Sequence, residues 1–141
     1  MTAVRYLEQI KQMNEDIKND MDELAFLQDL SMKTTASFNG SRVISSNSNQ
    51  KMADCVIKIT ELKKRINDEV GKYVDFRNYS LNFIHDVCDA DSARLLYLRY
   101  FCFETWENIA DKMHYSYQWI HKRLHKKALE QLQAGLNEKY K

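Results

Sequence analysis

The sequence predicts an all-α protein: a long antiparallel, coiled-coil-like helical hairpin followed by a C-terminal helix-turn-helix. Three observations carry that prediction. The 141-residue chain has no proline and only three glycines, so little in it interrupts a helix. Apolar residues recur at helical spacing through the first thirty residues and again from Met52 to Val87. Between Thr105 and Leu129, TWENIADKMHYSYQWIHKRLHKKAL sets two cap-bearing amphipathic segments on either side of a short connection. Residues 1–88 form the hairpin on this reading, and residues 89–141 form the second domain.

The first helix spans about Thr2 to Leu30. Ala3, Ile10, Ile17 and Leu24 take one heptad position, and Leu7, Asn14, Met21 and Gln28 take the other. Leu27 and Leu30 widen the seam. Polar Asn14 and Gln28 in such a seam set register at some cost in stability. The stripe reads as the buried face of an antiparallel pair rather than as a parallel zipper. Residues 31–50 are rich in serine, threonine and asparagine, and Asn39-Gly40 is a turn signal. They read as a flexible loop containing an island of Arg42, Val43 and Ile44.

The second helix starts near Gln50 or Lys51. It puts Met52, Val56, Ile59, Ile66, Val70 and Tyr73 on one face, broadened by Leu62, Phe76, Phe83, Ile84 and Val87. Gly71 weakens it locally by about 1 kcal/mol relative to alanine. Apolar residues left on the outer faces of the pair, Phe26, Met32 and Tyr79, point to a homodimer formed through the N-terminal helices. Asp89-Ala90-Asp91-Ser92 ends the second helix and caps the next. That helix, Ser92 to Phe101, buries Leu95, Leu98 and either Phe101 or Cys102, and leaves Arg94 and Arg99 to reach phosphates. The charged end, Asn137 to Lys141, reads as solvated.

In the C-terminal stretch Thr105 supplies an N-cap hydroxyl, and Ile109 and Met113 share a face. Ala110 is small enough for two helices to cross closely. His114 and Tyr115 make the connection, and Ser116 caps the next helix. Tyr115 and Ile120 are spaced as a hydrophobic staple. Ile120, Leu124, Ala128 and Leu132 then face inward at four-residue intervals, leaving Gln118, Trp119, His121, Lys122, His125 and Lys126 outside. From Tyr117 to Lys127 there are four basic residues, two histidines and no acid.

A cationic outer face opposite an apolar inner one, directly after a tight turn, is what a helix needs to lie in the major groove of DNA. The candidate base contacts are Tyr117, Gln118, His121, Lys122 and His125. Gln118 suits adenine N6/N7, Lys122 suits guanine O6/N7, and Tyr117 suits a thymine methyl. Thr105, at the head of its helix, with Arg123, Lys126 and Lys127, is placed for phosphates. Trp119 either packs on sugar and backbone or belongs to the core against the Ser92 helix.

Charge is divided along the chain. Residues 1–91 hold 12 basic and 15 acidic side chains, net −3, whereas residues 92–141 hold 9 and 5, net +4. Such a split points to a nucleic-acid-binding end and a partner-binding end. Other function classes find little support. Cys55, Cys88 and Cys102 are odd in number and lack CxxC spacing, so buried free thiols of a reducing cytoplasm are expected rather than disulfides or zinc. His121 and His125 share a helix face but lie among lysines and an arginine, and the glutamate of a metalloprotease motif is replaced by Lys122. No catalytic constellation or glycine-rich phosphate loop can be assembled, so no enzymatic activity and no cofactor are expected. No run approaches membrane-spanning length, and the expected location is the cytoplasm of a bacterial host.

LRYF at Leu98 to Phe101, WENIA at Trp106 to Ala110 and IHKRLHKKAL at Ile120 to Leu129 resemble region four of sigma factors of the sigma-seventy class. YLEQI at Tyr6 to Ile10, KTT at Lys33 to Thr35 and KMADCVIKI at Lys51 to Ile59 are similar to small phage and prophage proteins. Those are the sigma region-four-like, or ArpU-type, late transcription regulators. The resemblance implies promoter DNA as ligand and RNA polymerase as a further partner. It departs from the family pattern at His114, where glycine usually makes the turn. Two other readings stay open: a small terminase-like DNA-packaging protein, and an interaction protein that grips polymerase without touching DNA.

Overall fold

The computed structural model describes residues 1–39 and 46–141, with side chains described outside residues 34–48. The island Arg42–Ile44 and the turn at Gly40 lie outside the described residues. Among those described there is no strand. Five helices follow one another: α1 (Ala3–Asn39), α2 (Ser46–Val87), α3 (Ala90–Leu96), α4 (Trp106–Met113) and α5 (His125–Lys139). A π-helical stretch, Tyr97–Phe101, prolongs α3, and a second, Trp119–Leu124, leads into α5. In both, a backbone N–H reaches five residues back: Cys102 to the Tyr97 carbonyl at 3.0 Å, and His125 to that of Ile120.

Residues 31–39 and 46–50, expected to belong to a loop over 31–50, are helical. Serine, threonine and asparagine are only modestly poorer helix formers than alanine. Extending an established helix by one residue costs far less than nucleating a new one.

The chain forms two compact units, Met1–Met13 with Tyr73–Lys141, and Asn14–Lys72. The first unit takes in the start of α1 and the end of α2, because three short C-terminal helices cannot bury their own apolar faces. Tyr6, Leu7 and Ile10 of α1 and Ile84 of α2 close a core with Leu95, Leu96, Ile109, Ile120, Leu132 and Leu136. At its edge the Tyr6 hydroxyl and Ser80 Oγ share a buried hydrogen bond of 2.9 Å. The Ala3 N–H donates to Gln133 Oε1 at 2.8 Å. Phe101, and not Cys102, fills the core position, and Cys102 is exposed; Cys55 and Cys88 are half-buried. Free thiols were expected, but their full burial is not found.

In the second unit Asp20 meets Arg65 and Leu27 meets Cys55, so α1 and α2 run antiparallel there. Ile17, Leu62 and Ile66 are its buried apolar residues among those described. The inward line of α2 passes through Met52, Cys55, Ile59, Leu62, Ile66 and Glu69, alternating steps of three and four. Val56 and Val70, assigned inward from sequence, are exposed, as are Met21 and Gln28 on α1. On α2 the inward residues keep a seven-residue repeat, Met52–Ile59–Ile66 and Cys55–Leu62–Glu69, so Val56 and Val70 fall one position past the seam, on its flank. Arg65 donates to Asp20 Oδ1 from Nη2 at 2.9 Å and to Oδ2 from Nε at 3.2 Å. The Arg65 hydrogen bonds hold the Asp20 carboxyl below its ordinary pKa. Burial first, and then neighbouring Asp20, raise that of Glu69.

Two glycines in helices have opposite roles. A Cβ on Gly71 would meet nothing within 4 Å, whereas one on Gly135 would lie 2.7 Å from Val87 Cγ1. Gly71→Ala is therefore expected to stabilise the protein by about 1 kcal/mol, through lower unfolded-state entropy and better helix propensity. Gly135→Ala is expected to destabilise it by prying α5 from α2. Urea unfolding of the two variants checks both signs.

Candidate nucleic-acid interface

The candidate surface is built on two caps and a turn. Thr105 Oγ1 accepts from the Asn108 N–H at 3.2 Å and starts α4, whose Ile109, Ala110 and Met113 are buried. The helix stops at His114, which has φ 60° and ψ 38° and whose N–H returns to the Ala110 carbonyl. This is the left-handed conformation glycine adopts freely, and a histidine there costs about 1 kcal/mol. Ser116 Oγ then accepts from the Trp119 N–H at 3.2 Å and starts the next helix.

Both caps and the turn agree with the sequence expectation, but the staple does not. Tyr115 is exposed, donates its hydroxyl to Asp91 at 2.8 Å and lies beside Trp119, with centroids 6.3 Å apart. Its hydroxyl finds a carboxylate at the surface, where burial on Ile120 would have left it without one.

From Tyr117 the helix turns Ile120, Leu124, Ala128 and Leu132 inward, all buried. Its outer side chains fall into three rows of four-residue spacing. Tyr117, His121 and His125 lean toward α4: Tyr117 stacks on His121 at 5.7 Å, and Trp106 sits edge-on to His121 at 5.1 Å. Trp119, Arg123 and Lys127 border the start of α3. There, with Asp89, Asp91 and Tyr115, they line an open groove of about 630 Å³. Between these rows run Gln118, Lys122 and Lys126, all exposed.

Six candidate residues thus share one accessible face: Tyr117, Gln118, His121, Lys122, Arg123 and Lys126. Three others are already engaged. The Thr105 hydroxyl serves its own helix. His125 is half-buried, with Nε2 2.8 Å from the Tyr100 hydroxyl and its ring 4.7 Å from Trp106. Burial, then the charges of His121 and Arg99, lowers its pKa to about 4, so at neutral pH it is an uncharged prop. Lys127 lies 2.9 Å from Asp89 Oδ2. Lys127, the Ser92 N–H and Gln131 together hold the Asp89 carboxyl well below the usual range.

Arg99, expected among the phosphate ligands, lies over Trp106 at 4.4 Å and donates to the Glu104 carbonyl at 3.0 Å. Tyr100, Trp106 and Asp89 therefore shape the face without belonging to it. Nothing in their local spacing announces this, because each acts on a residue distant in sequence.

Among the described residues no three His, Cys, Asp or Glu side chains gather where they could hold a metal. No described helix is long and apolar enough to cross a membrane. Comparison with protein-family models, curated proteins and solved structures returns no match for this chain.

The lowered pKa of His125 has a definite thermodynamic sign. The unfolded chain takes up the proton near 6.5 and the folded chain only near 4. The stabilisation is complete above 6.5 and lost as pH falls toward 4. Thermal unfolding between pH 7 and 4 is expected to show a falling midpoint, and His125→Gln to flatten that slope.

Proposed function

We propose that this chain is a sequence-specific DNA-binding transcriptional regulator of phage or prophage origin. It binds promoter duplex through a helix-turn-helix, α4 and the helix from Tyr117, joined to an N-terminal helical hairpin. The observation that carries the reading is the exposed row Gln118, Lys122 and Lys126, directly opposite the buried line Ile120, Leu124, Ala128 and Leu132. An anchored helix with one apolar side and one acid-free, cationic side is suited to a groove walled by phosphates. Base edges are read by Tyr117, Gln118, His121 and Lys122, while Arg123, Lys126 and the head of α4 hold the backbone. His125 and Lys127 act from behind, by fixing the pitch of the helix against Tyr100 and Asp89.

One recognition helix seldom supplies the contacts of a tight specific site. The two partners that remedy this are a second copy, joined through the N-terminal helices, and RNA polymerase, which the family resemblance implies. The protein acts by binding rather than by catalysis, in the bacterial cytoplasm.

The test is fluorescence anisotropy on a selected and a random-sequence duplex at several salt concentrations. Affinity is expected to fall steeply with salt. Lys122→Ala with Lys126→Ala is expected to weaken both duplexes and to reduce the log–log salt slope by about 2. Gln118→Ala is expected to erode only the preference for the selected duplex. If no duplex is bound in a salt-dependent way, the reading is wrong. Regulatory activity that survives the double lysine change would mean the module grips a protein instead.

A further inference from the structure

Three large aromatic side chains stand exposed within five residues at the leading end of the helix from Tyr117: Tyr115 at 41%, Tyr117 at 44% and Trp119 at 46%. Exposed rings this close together mark a surface that binds something. Trp119 is thus not part of the core against α3, one of the two places its sequence position allowed. Tyr117 stacks on His121 at 5.7 Å, on the side toward α4. Trp119 stands on the other flank, with Tyr115 beside it at 6.3 Å and the open groove toward α3 next to it. Asp91 accepts the Tyr115 hydroxyl at 2.8 Å, so what accompanies the indole is ring rather than free hydroxyl.

Place on the helix decides what Trp119 can reach. Trp119 and His121 are each one residue from buried Ile120, so they stand roughly 100° to either side of it. Between them, on the outward side, run Gln118 and Lys122. A groove that receives His121 on one flank therefore receives the longer indole on the other. The first turn of a helix lying in the major groove meets base edges, and on this flank the first-turn residue is Trp119. The indole offers a flat apolar surface, and the apolar feature of a major-groove edge is the 5-methyl group of thymine. Sugar and backbone are the poorer fit. Asp89 and Asp91 border the same groove, and a strand laid against it would bring a phosphate toward both carboxylates. From Tyr117 to Lys127 there is no acid, so the charge beside the indole draws in a polyanionic duplex rather than an apolar protein segment.

We propose that Trp119 reads a pyrimidine 5-methyl group, which makes thymine the preferred base beside the one that Gln118 contacts. The inference rests on the DNA-binding reading above and adds to it the class of base that this side chain selects.

Fluorescence anisotropy tests it with the selected duplex made in two forms, one with thymine and one with every thymine replaced by deoxyuridine. The replacement removes the 5-methyl groups and keeps the hydrogen-bonding edges. Burying one methyl group is worth about fourfold in affinity, and the native protein is expected to prefer the thymine form by at least that factor. Trp119→Ala is expected to bind the two forms equally while keeping its salt dependence. Equal binding of the two forms by the native protein overturns the proposal. So does a preference that Trp119→Ala leaves undiminished, because the methyl contact would then belong to another side chain, such as Tyr117, or to duplex stiffness. So does a selected duplex that contains no thymine. In each of these three outcomes the DNA-binding reading survives, whereas a native protein that binds no duplex in a salt-dependent way overturns both. Far-UV circular dichroism checks folding. Should Trp119→Ala lose helix, Trp119→Gln repeats the comparison with the same outcomes.

Discussion

Five side chains on the last helix, Ile120, Leu124, Ala128, Leu132 and Leu136, must leave water together, and the short helices around them cannot meet that demand. Burying one large apolar side chain contributes about 1.5–3 kcal/mol, so exposing this line would consume most of a small domain's stability. The first turns of α1 and the last turns of α2 close over it. That is why the compact unit gathers both ends of the chain. It also fixes the roll of the helix from Tyr117, and hence which of its side chains face solvent.

Once the roll is set, the polar surroundings select among the outward residues. Tyr100 engages His125, Asp89 engages Lys127, and Trp106 with Arg99 backs His121. A cation paired with a carboxylate 2.9 Å away has less to offer a phosphate. A histidine whose pKa has fallen to about 4 has lost its charge at neutral pH. The charge available to a polyanion is thereby concentrated on Lys122, Arg123 and Lys126, with Gln118 among them as the neutral hydrogen-bonding side chain.

The two π-helical stretches, Tyr97–Phe101 and Trp119–Leu124, belong to the same unit, and Tyr100 of the first reaches His125 at the end of the second. Wider turns of this kind are costly in isolation and often mark functional regions. Here they accompany ring contacts at 4.7 to 6.0 Å among Tyr100, His125, Trp106 and His121. In the other unit, polar Asp20, Arg65 and Glu69 stand at the seam, and apolar valines and methionines are left outside.

Features that depend on neighbours along the chain were legible in the residues. The all-helical character follows from composition. The caps at Asp89, Thr105 and Ser116 are local hydrogen bonds, and the left-handed turn at His114 is a local stop. The inward line from Ile120 is a simple four-residue repeat. The rest depends on residues that meet only when the chain folds. Val56 and Val70 stand on the flank because the roll of α2 against α1 puts Cys55 and Glu69, one residue earlier in each case, at the seam. The ends of the two long helices joined the C-terminal core because that core was incomplete without them. His125 and Lys127 left the candidate face because Tyr100 and Asp89, remote in sequence, arrive beside them only when the chain folds.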